Sequence, residues 1–274
     1  MMAAADTREF PFSAQHFRLI SERVYRFSGI RLPEGKREMV YARLARRLRS
    51  LGIGSFDDYV QFLELEPAEW EHCTNALTTN VTAFYREEHH FRILAEHARQ
   101  TSAAGVPFRV WSAGCSTGEE PYTIAMCLAE ALPGNSFSVI ASDLDTQVLA
   151  SAREAVYPLQ SVEKLEPARR KRFFLRGAGR FEGKARVRRE LAARVEFMRV
   201  NLMDAEWPVE GGLDAIFCRN VMIYFDKPTQ RRLVERYAAL LKPHGLFFAG
   251  HAESLIDQGR HFRLRGQTVY ELAK

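Results

Sequence analysis

The sequence has few cysteines, and they are not arranged in pairs. Its four cysteines are widely scattered at Cys73, Cys115, Cys127 and Cys218, and no two are spaced as Cys-x-x-Cys. A disulfide framework or a cysteine-based zinc site requires closely spaced pairs, so the sequence argues against both. We predict reduced cysteines in the core or in loops, and no bound metal.

Long apolar runs are also missing. The N-terminal residues MMAAADTREF lack an apolar signal core, and no run of about 18 or more apolar residues occurs. We therefore expect a cytoplasmic protein that is not inserted in a membrane. The sequence also has no internal repeat and no low-complexity tract, which argues against repeat architectures and disordered linkers.

Acidic residues are outnumbered, since 39 Lys and Arg face 34 Asp and Glu and give a formal net charge of +5. The 274 residues are 46% hydrophobic and 27% charged, which is typical of a soluble globular protein of one large domain or two. A basic balance suits an acidic partner, whether nucleic acid, a membrane surface or an acidic protein. Composition does not choose among them.

The first 77 residues or so have a helical pattern without convincing strands. In GKREMVYARLARRLRSLG, apolar residues recur at helical spacing and Gly52 is placed to end the helix. Arg43, Arg46 and Arg47 stand three and four apart, so we expect them to share one solvent-facing side. Most such faces are simply solvated, but the excess of positive charge also fits docking on an acidic surface.

From about residue 107 the pattern changes to apolar runs alternating with amphipathic helices, which predicts a mainly parallel sheet covered on both faces. The predicted strands are 108–113, 138–142, 195–200, 214–218, 245–250 and 268–272, and the predicted helices are 120–131, 146–154 and 228–241. The basic, glycine-containing segment 159–194 interrupts this alternation. It is predicted as an insertion with strands 172–176 and 185–189 joined by a tight turn.

The stretch VWSAGCSTGEE joins the first of these strands to a helix. It resembles a phosphate-binding loop, but Glu119 occupies the place where such a loop has lysine, so phosphate is disfavoured. Carboxylates prefer hydroxyls, amines or a cation, and glycines allow a flat ligand to approach the backbone. A positively charged nucleoside without phosphates, such as S-adenosylmethionine, fits these preferences.

Further polar residues follow successive predicted strands. Asp143 ends the second strand, where an acidic side chain in nucleoside-binding α/β folds accepts hydrogen bonds from ribose hydroxyls. Asp143 could instead cap the next helix, although Asp145 and Thr146 are also available for capping. Asn201 follows the strand VEFMRV, and Arg219 with Asn220 follows DAIFC. Because the strands are predicted to be parallel, we expect these side chains to converge on one cleft.

Several blocks match a known family. LTTNVTAFYRE, WSAGCSTGEEPY, ASDLDTQVLASAR, RGAGRFEGKARVRREL, FCRNVMIYFD and LFFAGHAESL occur in the order typical of the CheR family of bacterial chemotaxis receptor methyltransferases. The chain resembles this family over nearly its whole length. The resemblance implies a Rossmann-like α/β methyltransferase domain at 78–274. It also implies a small all-α domain at 1–77 that docks on receptors, and an inserted antiparallel β-subdomain at about 159–194.

The resemblance also implies an activity: transfer of a methyl group from S-adenosylmethionine to glutamate side chains of chemoreceptors, leaving S-adenosylhomocysteine. Glutamate is already ionised at neutral pH, so this reaction needs no general base. The implied cofactor-binding residues are Asn80, Thr82, Arg86, Glu119, Asp143, Asn201, Leu202, Arg219 and Asn220. The implied catalytic residues are Arg86 and Tyr224: Tyr224 would lie near the transferred methyl, and Arg86 would either steer the attacking carboxylate or bind the methionine carboxylate of the cofactor. Glu119 is favoured over Glu120 for direct contact.

The implied partners are the cytoplasmic domain of chemoreceptors and, for some family members, a pentapeptide at the receptor's C-terminus. That peptide would add as a strand to the inserted subdomain, whose Gly177 and Gly179 permit a tight turn. Arg176, Arg186, Arg188 and Arg189 would pair with its charges. We further expect a monomer recruited to membrane receptor arrays, with no nucleic-acid partner.

Two alternatives remain from the sequence. A methyltransferase acting on RNA or a small molecule would use the basic helix differently, although no basic stretch interleaved with aromatic residues is present. A non-enzymatic adaptor would keep the fold without turnover, and loss of Arg86 or Tyr224 would favour it. Both residues are present.

Overall fold

The computed structural model describes residues 8–134, 136–253 and 261–273. The first seven residues of MMAAADTREF and the last two of LFFAGHAESL lie outside these ranges. The chain forms two compact units, one of Met1–Thr79 with Tyr224–Asp226 and the other of Asn80–Ile223 with Lys227–Lys274. Within the described ranges, no helix is both long enough and apolar enough to cross a membrane.

The first unit is helical, as predicted. Its helices are α1 (Ala14–Ser28), α2 (Arg37–Leu51), α3 (Phe56–Leu65) and α4 (Glu69–Leu77), with a short 3-10 helix at Glu34–Lys36 before α2. The apolar side of α2 is buried through Val40, Leu44 and Leu48. Gly52 ends α2 with a φ of +68°, a conformation that glycine adopts without strain.

The second unit contains a seven-stranded sheet in the order β6-β2-β1-β7-β8-β10-β9. Its strands are β1 (Phe108–Ala113), β2 (Phe137–Asp143), β6 (Val195–Arg199), β7 (Leu213–Cys218), β8 (Leu241–Ala249), β9 (Phe262–Gly266) and β10 (Val269–Leu272), while β3 (Val156–Pro158), β4 (Phe174–Arg176) and β5 (Lys184–Val187) form a smaller sheet. The helices of this unit are α5 (His89–Thr101), α6 (Glu119–Ala131), α7 (Thr146–Glu154), α8 (Leu159–Glu163), α9 (Pro167–Phe173), α10 (Arg189–Ala192) and α11 (Lys227–Leu240).

The five strands from β6 to β8 are mutually parallel, and β10 is antiparallel to both β8 and β9. Every residue of β7 is buried, as expected for a strand covered on both faces. The six strands predicted for this sheet are confirmed apart from their end residues, and β9 was not predicted. Because parallel strands point the same way, the residues that follow β1, β2, β6 and β7 lie along one edge of the sheet.

The inserted segment contributes β4 and β5 to the three-stranded antiparallel sheet β3-β5-β4, and β3 lies just before the segment. Its predicted first strand, 172–176, is only partly correct, because Pro167 starts α9 and residues 172–173 continue that helix. The second strand ends at Val187, so Arg188 and Arg189 lie beyond it. The predicted class is confirmed: an α/β fold with a mostly parallel sheet, an all-α N-terminal part and an antiparallel subdomain.

Candidate functional site

The loop between β1 and α6 is shaped by two glycines. Gly114 and Gly118 have φ angles of +89° and +96°, which other residues rarely adopt. A Cβ atom at Gly114 would collide with the Val221 side chain, and one at Gly118 would lie 2.8 Å from the Tyr157 hydroxyl oxygen. We predicted that these glycines leave room for a ligand. The structure shows that the space at both Cβ positions is filled by protein side chains, so close packing also requires glycine there.

Glu119 and Glu120, the first two residues of α6, have different surroundings. Glu120 accepts hydrogen bonds from the Ser112 hydroxyl at 2.7 Å and from Arg219 Nη1 at 3.1 Å. Within the described residues, the Thr117 hydroxyl, at 2.6 Å, is the only other side chain that hydrogen-bonds the Glu119 carboxylate. Burial raises the pKa of both carboxyl groups. Glu119 therefore keeps more hydrogen-bonding capacity for a ligand.

Asp143 lies at the end of β2 and holds the neighbouring loop. Its carboxylate accepts the backbone N–H of Ser116 at 2.8 Å and that of Asp145 at 3.0 Å, and burial raises its pKa. Asp145, not Asp143, caps α7 by accepting two backbone N–H groups. Asn80 donates to Asp145 Oδ2 at 2.9 Å and accepts the Ser116 hydroxyl at 3.0 Å through its carbonyl. The structure thus brings the predicted residues Asn80 and Asp143 together.

Arg219, directly after β7, is buried and only 6% exposed. Its Nη1 lies 3.1 Å from Glu120 Oε2, and its Nη2 lies 3.2 Å from Glu87 Oε2 and donates to the backbone carbonyl of Arg86. The Arg86 side chain is exposed, and its Nη1 donates to the carbonyl of Val81 at 2.8 Å. We predicted Arg219 as a cofactor contact. Its guanidinium joins the loop before α5 to the start of α6.

Glu253 was not predicted, although it lies in the quoted block LFFAGHAESL. It is 5% exposed and accepts the backbone N–H groups of Gly250 at 2.6 Å, Asn220 at 2.8 Å and Ile223 at 3.2 Å. Asn220 has a φ of +60°, so this carboxylate holds a backbone conformation that non-glycine residues seldom adopt. The sequence signal for Glu253 was its position as a carboxylate just after a predicted apolar strand. That position did not reveal which backbone N–H groups it binds.

The other predicted cofactor residues lie near these groups or make few contacts. Asn201 and Leu202 are buried just after β6, the strand paired with β2, and Asn201 Oδ1 accepts the Met203 N–H at 3.0 Å. Thr82 is half-buried, and its hydroxyl has no hydrogen-bond partner within the described part of the chain. Tyr224 belongs to the first unit, where its carbonyl accepts the N–H of Arg31 at 2.9 Å.

The three arginines of α2 predicted to dock on the receptor, Arg43, Arg46 and Arg47, do not share one solvent-facing side. Arg43 donates to the carbonyls of Ala76 and Thr78 at the end of α4. Arg47 forms two hydrogen bonds, at 2.8 and 2.6 Å, with Glu69, whose side chain is only 4% exposed. Arg46 is exposed. The prediction failed for Arg43 and Arg47 because α4 packs beside α2 and supplies acceptors that the sequence of α2 does not show.

The predicted peptide-binding residues lie on the small sheet. Arg176 and Arg186 are exposed on the adjacent strands β4 and β5, whereas Arg188 is half-buried and donates to the carbonyl of Lys171 at 3.2 Å. Gly179 has the expected positive φ, +58°.

Gly177 does not have a positive φ. A Cβ atom at this position would collide with the carbonyl of Phe181, so close backbone approach is what requires glycine here. The turn between the strands is longer than a two-residue hairpin and includes a 3-10 helix at Gly179–Phe181. The described residues leave β4 paired on one side only, with β5.

Comparison with known proteins agrees with this architecture. Residues 15–78 match the family model "CheR methyltransferase, all-alpha domain", and residues 80–271 match "CheR methyltransferase, SAM binding domain". Chemotaxis protein methyltransferase 2 of Pseudomonas aeruginosa is 54% identical over 97% of this chain and 96% of its own length. The chemotaxis protein methyltransferases of Klebsiella aerogenes and Escherichia coli are 55% and 51% identical, over 97% and 98% of this chain and 92% and 94% of theirs. The chain belongs to the CheR methyltransferase family.

Proposed function

We propose that this protein transfers a methyl group from S-adenosylmethionine to glutamate side chains of chemoreceptors. The products are glutamate methyl esters and S-adenosylhomocysteine. The chain spans nearly the full length of relatives named chemotaxis protein methyltransferases, at 51% identity or more. The observation that carries the proposal is the Glu119 carboxylate, which is half-buried beside the sheet edge and, among the described residues, is hydrogen-bonded by the side chain of Thr117 alone.

The residues at this edge fit S-adenosylmethionine. Its ribose hydroxyls and α-amine are donors, and carboxylates are the matching acceptors. We assign Glu119 and Asp143 to these donors, and Asn80 and Asn220 to the loops around them. Thr82, Asn201 and Leu202 complete the predicted set. Arg219 contributes through its ion pairs, which hold Arg86 and Glu120 in place.

The cofactor supplies a methyl group made electrophilic by its sulfonium. The protein's task is then mainly positioning, because a glutamate with an ordinary pKa of about 4.3 is already a carboxylate at neutral pH. The exposed guanidinium of Arg86 attracts that carboxylate. The absence of a histidine or cysteine base from the predicted residues agrees with this chemistry.

Receptor capture is proposed for two surfaces. In the first unit, Arg46 is the exposed member of the three predicted docking arginines and faces an acidic receptor helix. In the second unit, the small sheet takes the receptor's C-terminal pentapeptide as an added strand along β4, with Arg176 and Arg186 beside it. Tethering a monomeric enzyme in this way recruits it to receptor arrays and raises its effective concentration to the order of millimolar.

The test of the activity is direct. The protein is incubated with radiolabelled S-adenosylmethionine and receptor-containing membranes, and the labelled product is treated with mild base. Release of the label as methanol is expected, because a glutamate methyl ester hydrolyses easily. Base-stable label, as from a methylamine, or label in RNA would contradict the proposal, and binding of S-adenosylhomocysteine without any transfer would favour an adaptor.

The tether is tested separately, by titration with a receptor C-terminal pentapeptide containing Trp and Phe. The wild-type chain should bind it, and deletion of residues 177–179 should abolish binding. Arg186→Glu should weaken binding without shortening the turn, whereas Arg92→Glu, on the exposed side of α5, serves as the matched control. No binding by the wild type, or equal binding by the deletion, would rule the tether out.

A further inference from the structure

Side chains from two separate stretches of the chain meet beside Arg219. Glu87 precedes α5, His89 is the first residue of α5, and His251 follows β8. One donor atom from each of these three side chains lies within 4.8 Å of the others. The backbone N–H of His251 also donates to Glu87 Oε1 at 3.4 Å, which keeps the two segments adjacent.

The buried Nε2 of His89 lacks a hydrogen-bond partner in the described part of the chain, whereas Glu87 Oε2 is ion-paired with Arg219. His90 is fully buried, and its Nδ1 lies 3.5 Å from Glu87 Oε2. Buried polar atoms are nearly always satisfied, by protein, water or an ion. The unsatisfied nitrogen of His89 therefore points to a bound species that the protein itself does not supply.

The chemistry of the donors selects the kind of species. Two imidazoles and one carboxylate form a set that first-row transition metals, zinc above all, bind in proteins. The charge at this place also favours a cation, because the two carboxylates of Glu87 and Glu120 pair with one guanidinium, that of Arg219. We propose that Glu87, His89 and His251 bind a divalent transition-metal ion such as Zn²⁺. This inference does not rest on the proposed methyl transfer.

The geometry requires only a small adjustment. With metal–nitrogen bonds of about 2.1 Å, tetrahedral ligands lie about 3.4 Å apart, which is somewhat less than the 4.8 Å span of the donors. His251 can close this gap, because its side chain is 70% exposed. Its ring centroid lies 5.5 Å from that of His89. Glu87 Oε2 remains paired with Arg219, so Oε1 is the oxygen assigned to the ion.

Few sites on this protein compete for the ion. All four cysteines are buried, so their thiols do not compete. His244, with its Nδ1 2.9 Å from Glu271 Oε1, is another exposed histidine beside a carboxylate and supplies a matched control. The site was not predicted, because His251 is far from Glu87 and His89 in sequence and no cysteine spacing marked it.

The test uses the full chain, free of any affinity tag and stripped of metal. Co²⁺ is titrated by visible absorption and Zn²⁺ by calorimetry, on the wild type and on His251→Gln, His89→Gln and His244→Gln. We expect one equivalent bound, with the intense visible bands of four- or five-coordinate Co²⁺. Each ligand substitution should weaken binding about tenfold or more, and His244→Gln should leave it unchanged.

Several outcomes would overturn the proposal. The site fails if the wild type binds no stoichiometric ion, which would leave water as the partner of the His89 nitrogen. It also fails if His251→Gln binds as tightly as the wild type, or if His244→Gln is the variant that loses binding. Because His251 is exposed, its substitution is not expected to disturb folding, and the far-ultraviolet circular dichroism of each variant checks this directly.

Discussion

At the scale of single residues, Glu119 and Glu120 differ in what surrounds their carboxylates. Glu120 is occupied by Ser112 and Arg219, while the Glu119 carboxylate is hydrogen-bonded by one other side chain, that of Thr117. Adjacent residues on a helix point in directions about 100° apart, so one glutamate can face the core while its neighbour faces the cleft. Binding and structural support are thus assigned to different residues.

We predict that Glu119→Gln and Glu120→Gln affect different properties of the protein. Glu119→Gln should weaken S-adenosylhomocysteine binding by roughly 1 to 3 kcal/mol, because a charge-assisted hydrogen bond is lost, with little change in thermal stability. Glu120→Gln should mainly lower thermal stability, because Arg219 loses one of its two carboxylate partners. Calorimetry measures ligand binding and thermal unfolding measures stability for both variants. Weaker binding in Glu120→Gln together with lower stability in Glu119→Gln would contradict this assignment.

At the scale of elements, the loops after β7 and β8 are joined by one buried carboxylate. Glu253 accepts backbone N–H groups from both loops, including that of Asn220. Burial raises the pKa of Glu253, and the backbone N–H groups of Gly250, Asn220 and Ile223 oppose that shift. A loop conformation predicted to line the cofactor site therefore depends on a side chain from the neighbouring loop.

We predict that Glu253→Gln weakens S-adenosylhomocysteine binding about tenfold, because an amide NH₂ would face backbone N–H donors. The maximal rate with saturating cofactor should change much less. Steady-state kinetics with varied cofactor separate these two parameters. The control is Glu210→Gln, an exposed glutamate in the same unit, which should behave as wild type. Equal affinity in a folded Glu253→Gln variant would contradict the assignment.

The helix pair α2 and α4 gives a second element-scale prediction. Arg47→Met should destabilise the first unit by about 3 kcal/mol, because it leaves the buried Glu69 carboxylate without its cation.

Arg46→Glu should leave stability unchanged and lower receptor methylation roughly fivefold, an effect that added salt should imitate on the wild type. Denaturant unfolding and methylation assays at two salt concentrations test both. Methylation insensitive to Arg46→Glu and to salt would show that this face is merely solvated.

At the scale of the whole molecule, buried His90 links the start of α5 to the turn between β9 and β10. Its Nε2 lies 2.9 Å from the carbonyl oxygen of Gln267. Burial, with a contribution from Arg219, lowers the pKa of His90 to about 4. A histidine whose pKa is depressed in the folded state contributes stability above its unfolded pKa of about 6.5, and this contribution is lost as the pH falls towards 4.

We therefore predict that the stability difference between the wild type and His90→Gln shrinks by about 3 kcal/mol between pH 7 and pH 4. Denaturant unfolding of both proteins across this range measures it. Comparison with the variant is needed because Glu119, Glu120, Asp143 and Glu253 have raised pKa values and shift stability in the opposite direction. A constant difference would show that His90 titrates normally in the folded protein.

The sequence by itself determined the fold class and the order of most strands and helices. Apolar runs such as β7 and the amphipathic pattern of α2 are local signals, because burial of each element follows from its own residues. The same reasoning located Asp143, Asn201 and Arg219 just after strands. Block order over nearly the whole chain indicated the family.

Only the tertiary structure decided how the side chains at those positions are used. It paired Arg47 with Glu69, enclosed Arg219 between Glu87 and Glu120, and placed Glu253 under Asn220. Each of these interactions joins segments that are distant in sequence. The sequence does not show whether a carboxylate or a guanidinium is solvated or pairs with a buried partner. The partner is fixed only when packing brings two segments together.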